Sequence, residues 1–262
     1  MPDMRLTVLG CSGSVSGPES PASGYLITAA GAPPIVVDLG GGTLGALQRY
    51  ADPADATILL SHLHADHCLD VAGLLVWRRY HPQARPGLTR VHAPSDAALR
   101  LGVASAERGG EVDDVTDVLD LRPWVPGEAL ALGPVTVEVA LVDHPCEAYA
   151  MRFTDADGTT LVYTGDTGPC AAIGELARGA DVLLAEASWT DAPDRPVGVH
   201  LSGTQAGVLA REAGVGRLLL THVPPWTSID AVVAEARAQY GGDVHAVRAA
   251  EEIELVPAQV HR

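Results

Sequence analysis

A chain of 262 residues with 47% hydrophobic content supports one full-sized core, and we read a single domain over 1–262. Charged residues are only 19%, and 28 Gly and 19 Pro are spread without a short period, which excludes a coiled coil, a collagen-like repeat and a disordered tail. The formal charge is −16, and all seventeen basic residues are Arg, a balance that disfavours a broad nucleic-acid surface.

In chain order, the N-terminal MPDMRLTVLG is too short and too little charged for a signal segment, and no run of 18 apolar residues follows. A cytoplasmic protein with no membrane association is expected. Short apolar runs ending in turn residues predict strands at 6–9, 24–28, 34–38, 56–60, 134–142, 148–154, 159–164, 181–186 and 217–221, with VHAV and IELV in the tail. Amphipathic stretches between them predict helices at 44–50, 69–79, 94–101, 169–178 and 229–240. The best-marked start is Ser202, where Ser-Gly-Thr-Gln fits a capping box ahead of a helix ending near Gly214. Strands alternating with helices predict an α/β or α+β layered architecture. The acidic segment 111–120 reads as a solvated loop and strand edge, and Trp77 reads as core with Arg78 and Arg79 on its solvated side. Four scattered cysteines without a CxxC pair predict reduced thiols, with Cys68 and Cys146 buried.

Chemistry concentrates after the run ATILL, where Ser61-His62-Leu63-His64-Ala65-Asp66-His67 places three imidazoles and a carboxylate within six residues. Imidazole and carboxylate are ligands for zinc and its first-row neighbours, and burying four such groups without a metal would strand polar atoms. His62 and His64, two apart on extended chain, can hold one ion; Asp66 and His67, where the chain turns toward a helix, can face a second. Further ligand types follow apolar strands at His144, Asp166 and His222. Asp38, before Gly40-Gly41-Gly42, is a candidate partner for a ligand imidazole or a simple turn residue. Trp189 and Trp226 adjoin these motifs and either stack on substrate or pack as core.

This pattern, His-x-His-x-Asp-His followed by a distant His, a Gly-Asp turn and a final His, resembles the metallo-β-lactamase superfamily. The resemblance implies an α/β fold in four layers, an αβ/βα sandwich with its site between two sheets. It implies that His62, His64 and His144 bind one divalent ion, that Asp66, His67 and His222 bind another, and that Asp166 bridges them. Zinc is the first expectation, with manganese or magnesium as alternatives. Imidazole at His64 separates the chain from flavodiiron relatives, which carry Glu there, and His67 keeps a full second site suited to phosphoesters.

His200, in Val-His-Leu-Ser-Gly-Thr, resembles the His-Ser/Leu-Ser/Thr motif of ribonuclease Z and related cyclic-nucleotide phosphodiesterases. Ser202 of that motif is a further substrate-side candidate. Only 22 residues separate His144 from Asp166, too few for the tRNA-binding arm of common ribonuclease Z forms. Segments 10–26, 38–50, 59–70, 163–168, 185–189, 200–207 and 219–228 are similar to the atypical class II bacterial cyclic-nucleotide phosphodiesterases. The resemblance implies hydrolysis of 3′,5′-cyclic AMP, with cyclic GMP as a second substrate, to the 5′-monophosphate by a hydroxide held between the two metals. Asp66 would orient or deprotonate that nucleophile and His200 would serve the phosphate or the leaving group. Alternatives are trimming of short RNA 3′ ends and hydrolysis of a lactone or thioester. The short gap and the −16 charge point to a small-molecule substrate, and a homodimer follows from the resemblance alone.

Overall fold

The computed structural model describes residues 4–83 and 86–258; Met1–Asp3 of the N-terminal segment lies outside them. Two seven-stranded sheets stack face to face. The first contains β1 (Met4–Gly10), β2 (Gly24–Ala29), β3 (Ile35–Val37), β4 (Thr57–Leu59), β5 (Thr89–Ala93) and β6 (Leu119–Pro123). The second contains β7 (Leu130–Leu132), β8 (Val135–Leu141), β9 (Tyr149–Thr154), β10 (Thr160–Tyr163), β11 (Val182–Glu186), β12 (Arg217–Thr221) and β13 (Asp243–Ala246), while β14 (Glu252–Glu254) returns to the first. The sheet orders are β14-β1-β2-β3-β4-β5-β6 and β13-β12-β11-β10-β9-β8-β7. In each sheet an antiparallel part joins a parallel part, at β3–β4 in one and β10–β11 in the other.

Helices cover both outer faces. On the first sheet lie α1 (Thr43–Leu47), α2 (Ala65–Cys68), α3 (Asp70–Tyr80) and α4 (Ala97–Ser105); on the second lie α5 (Ala171–Ala177), α6 (Gly203–Ala213) and α7 (Ile229–Gln239). Three buried clusters follow from this layering. One, with Tyr25, Ile27, Met151, Phe153 and Tyr163, fills the space between the sheets. The other two join each sheet to its helices, through Leu26, Ile58, Leu74 and Leu101 on one side and Val162, Leu183, Ala206 and Ala236 on the other. Parallel strands apolar on both faces, such as β11 and β12, are what burial beneath helices requires. Ala206, Gly207 and Ala210 let α6 and α7 approach closely: a Cβ on Gly207 would stand 2.5 Å from Ala236 O. The expected four-layer αβ/βα sandwich is therefore what the chain adopts.

The predicted strands all form within a residue or two, and the predicted capping box is complete. Ser202 Oγ accepts from the Gln205 amide while Gln205 Oε1 accepts from the Ser202 amide, and α6 ends at left-handed Gly214. Three strands (β5, β6 and β7) and the one-turn helix α2 escape periodicity because each is short or carries mixed polarity, as in Thr89-Arg90-Val91-His92-Ala93.

Three expectations are corrected. Cys146 is exposed, because its loop lies at the mouth of the site rather than under it. Arg78 is the buried member of its pair, at 8% exposure, and Trp77 is half-buried and stacked on His81, a slip of one position around α3. The acidic segment is not simply solvated: Asp113 and Asp117 grip Arg79 at 2.7 and 2.8 Å, and Val115 and Leu119 are buried.

Candidate metal centre

The ligand-type residues sit in the loops that follow strands or, for Asp66 and His67, on the one-turn helix that such a loop enters. His62 and His64 follow β4, Asp66 and His67 lie on α2, His144 follows β8, Asp166 follows β10 and His222 follows β12. The α2 turn can approach β3 only because residue 40 is Gly; a Cβ there would stand 1.9 Å from Asp66 O. Leu39 N–H donates to His67 O at 2.7 Å and Ser23 N–H to Asp66 O at 3.1 Å, fixing the same turn. His222 itself holds a left-handed backbone, φ 57°, which for a non-glycine residue is a strained conformation concentrated at functional sites.

The outer nitrogen of each imidazole has a partner that dictates its tautomer. His67 Nδ1–H donates to the Asp38 carboxylate at 2.8 Å and His144 Nδ1–H to Val199 O at 2.9 Å. Ser61 donates its hydroxyl to Asp38, so it accepts from His62 Nδ1–H at 3.0 Å. Ser188 donates to Glu186, so it accepts from His222 Nδ1–H at 2.9 Å. His64 is turned over: its Nδ1 faces inward and its Nε2 lies 3.8 Å from Cys146 Sγ. Fixing the outer nitrogens in this way directs the inner lone pairs at one point, the usual device of imidazole metal sites.

Two groups result. His62, His64 and His144 bring Nε2, Nδ1 and Nε2 together, with His64 Nδ1 at 3.1 Å from each of the others. Asp66, His67, Asp166 and His222 form the second, with 3.2 Å between His67 Nε2 and His222 Nε2 and 3.1 Å between His222 Nε2 and Asp66 Oδ2. Asp166 Oδ2 reaches across, 3.7 Å from His62 Nε2 and 3.4 Å from His222 Nε2. The donor set fits divalent metals. Zinc–nitrogen bonds of about 2.0–2.1 Å in tetrahedral geometry set nitrogens about 3.3 Å apart, close to the spacings here. Inward lone pairs at 3.1 Å repel one another unless a cation lies between them, and among the described residues the buried Asp166 Oδ1 makes no hydrogen bond, with His67 Nε2 3.3 Å away.

Burial holds His62 well below the ordinary imidazole range and pushes His144 down to about 4, so both are neutral ligands at neutral pH. Burial alone would also lower His67, but Asp166 and Asp38 outweigh it and hold it well above the ordinary value. Burial would raise Asp166 and Asp66; the surrounding imidazoles, His222 and His67 foremost, hold both low instead. The charges of buried Asp166 and partly buried Asp66 are thus offset by the same nitrogens that would face a metal pair.

All seven predicted ligand residues converge. Asp38 joins them through four hydrogen bonds, from Ser61 N and Oγ, His67 and Tyr163, while fully buried in a left-handed backbone. His200 stands at the rim, its ring centroid 5.7 Å from His144 and 5.4 Å from His222. Its Nδ1–H donates to Glu186 at 2.9 Å, and although burial lowers it, Glu186 holds it up to about 9. Trp189 lies edge-on to His200 at 5.1 Å, whereas Ser202 is committed to capping α6. Glu186, Ser188, Ser61 and Tyr163 were not anticipated. A signal existed for Glu186, a carboxylate directly after the apolar run VLLA, since an unpaired buried Glu is costly and rare.

Residues 35–223 match the β-lactamase superfamily domain. The chain is 58% identical over 96% of its length to the uncharacterized protein ML1173 of Mycobacterium leprae, covering 89% of that protein. It is 31% identical to the probable metallo-hydrolase YhfI of Bacillus subtilis, over 92% of this chain and 96% of that one. The crystal structure of YhfI, a metallo-β-lactamase fold protein, superposes with a TM-score of 0.84 at 26% identity over 96% and 99% of the two chains. Ribonuclease Z of Mycobacterium avium is 29% identical over 94% of this chain and 98% of its own. With its motifs, sheet order and clustered ligand residues in this arrangement, the chain belongs to the β-lactamase superfamily, in the metallo-β-lactamase fold and beside its ribonuclease Z-like members.

Proposed function

We propose that this protein is a metal-dependent phosphodiesterase that hydrolyses small 3′,5′-cyclic nucleotides to 5′-monophosphates. The observation that carries the reading is His200: an imidazole held by a buried carboxylate at the rim of both ligand groups, facing the space where a scissile phosphate would lie. His62, His64 and His144 would hold one divalent ion, Asp66, His67 and His222 the other, with Asp166 shared. When bound, such a pair supplies Lewis acidity and a nucleophile from water at neutral pH. His200 Nε2 donates to a non-bridging phosphate oxygen or protonates the departing 3′ oxygen, a role worth about 10² to 10⁴ in rate. Asp66, with one oxygen on His222 and its side chain 12% exposed, orients the attacking water. Asp38 and Glu186 keep the ring nitrogens in the tautomers this requires.

The short passage from His144 to Asp166 is used up by β9 and β10, joined by a turn that Asp155 ties at residues 157 and 159. No arm stands there to grip a structured RNA, which with the −16 charge supports a small substrate. The test is hydrolysis of 3′,5′-cyclic AMP by zinc- or manganese-loaded protein, resolved by chromatography. Asp166→Ala should lose metal and activity together; His200→Ala should keep its metal and lose turnover. Equal metal loss in both removes the role given to His200. Absence of 5′-AMP from protein holding two metals per chain removes the cyclic-nucleotide substrate and favours short RNA 3′ ends, given the ribonuclease Z relative, or an ester.

A further inference from the structure

Beside His200 opens a cavity of about 410 Å³, within the usual range for small-molecule sites, and none of the seven ligand residues lines it. Its walls are two indoles and a guanidinium. Trp189 forms one side, with the Arg195 guanidinium 5.3 Å above its ring. Arg195 Nε donates to Thr190 O at 3.2 Å, leaving its two terminal nitrogens; among the described residues no carboxylate pairs with it. Trp226 forms the other side, on the loop that follows His222.

Trp226 is 70% exposed, although burial of so large an apolar ring is favourable. Its loop is nonetheless held: Thr227 N–H donates to Pro224 O at 2.9 Å and Thr227 Oγ1 to Ser188 O at 3.1 Å. An indole kept in water by a pinned loop, at the edge of a cavity that shares His200 with the metal centre, is a stacking surface awaiting a planar partner.

We infer that this cavity receives the nucleobase of the substrate and selects purines, Trp226 stacking on the base and Arg195 donating to its N7. The inference rests on the phosphodiesterase reading and deepens it. Adenine and guanine both present N7 as an acceptor, whereas pyrimidines lack it and offer a smaller face. His200 lines this cavity as well as the rim of the metal centre, so a phosphate set opposite it would have the cavity within reach of its nucleoside.

The experiment has two readouts. Binding of 5′-AMP and 5′-CMP is followed by tryptophan fluorescence, and KM and kcat are measured for 3′,5′-cyclic AMP and 3′,5′-cyclic CMP. Wild type is compared with Trp226→Ala, Trp226→Phe and Arg195→Ala. Stacking on an aromatic side chain is worth enough that Trp226→Ala should weaken AMP binding and raise the cyclic AMP KM about 5- to 150-fold, with kcat nearly retained. Trp226→Phe should recover most of the loss, and Arg195→Ala should erase the preference for AMP over CMP. If no cyclic nucleotide is hydrolysed but AMP binding depends on Trp226 and Arg195, the reaction falls and the base site stands. If cyclic AMP is hydrolysed with the same KM in all variants, or AMP and CMP bind alike to wild type, the base site is overturned and the phosphodiesterase stands.

Discussion

Glu186→Gln isolates the charge behind His200. Glu186 is fully buried and accepts three hydrogen bonds of 2.9 Å, from Thr167 N–H, His200 Nδ1–H and the Ser188 hydroxyl. Glutamine keeps the volume and one acceptor oxygen, which can still serve Thr167 and His200. Its amide nitrogen then faces Ser188, whose hydroxyl has an alternative acceptor in His222 O at 3.2 Å. Folding and metal content should therefore change little. The loss falls on the bond from His200 to an anion, and hydrogen bonds to charged groups are worth about 1.5–3 kcal/mol. At about 1.4 kcal/mol per decade, kcat should fall roughly 10- to 150-fold. Turnover of 3′,5′-cyclic AMP, metal analysis and thermal melting are measured on Glu186→Gln, His200→Ala and the double variant. Because the two residues act through one imidazole, the double variant should be no slower than His200→Ala. A double variant slowed by the full product of both losses, or Glu186→Gln with unchanged kcat, refutes the reasoning.

Two further outcomes follow from the same geometry. Gly40→Ala, whose methyl would meet Asp66 O, should cost about 1–3 kcal/mol or more and deplete metal at the second site, while Gly45→Ala, with open space around it, should be neutral or stabilising; equal melting temperatures and metal content in the two variants would contradict this. His92 is 9% exposed, and burial, aided by Arg90 and Arg122, pushes it down to about 4. Its folded value lies below its unfolded value of 6.5, so its contribution is present above pH 6.5 and is lost as pH falls toward 4, at most ~3 kcal/mol. Metal-free His92→Phe should show a flatter stability curve between those pH values by denaturant titration, and an unchanged slope would remove His92 as its source.

Much of the site was legible because metal ligands are a chemical type before they are a geometry. Three imidazoles and a carboxylate in six residues cannot be buried cheaply without a metal, so His62, His64, Asp66 and His67 announce themselves from spacing alone. The strands were legible for a similar reason: runs such as Ala56–Leu60 and 217–221 are apolar on both faces, and only burial between layers accommodates that. Short elements of mixed polarity, β5 to β7, carried no period to detect.

What the tertiary structure decided is which groups share a partner. Asp38 looked equally like a turn residue, yet parallel pairing of β3 with β4 puts it under Ser61 and His67, where its carboxylate fixes two tautomers at once. Glu186 and His200 are 14 residues apart and meet because β11 ends beside the loop that enters α6. Cys146 and Arg78 were misjudged because a residue type has a preferred environment, but which way a loop faces or a helix is rotated depends on what packs against it. Residue chemistry along the chain thus determined that a metal centre and layered sheets would form; long-range strand pairing alone, absent from any local pattern, determined which carboxylate supports which imidazole.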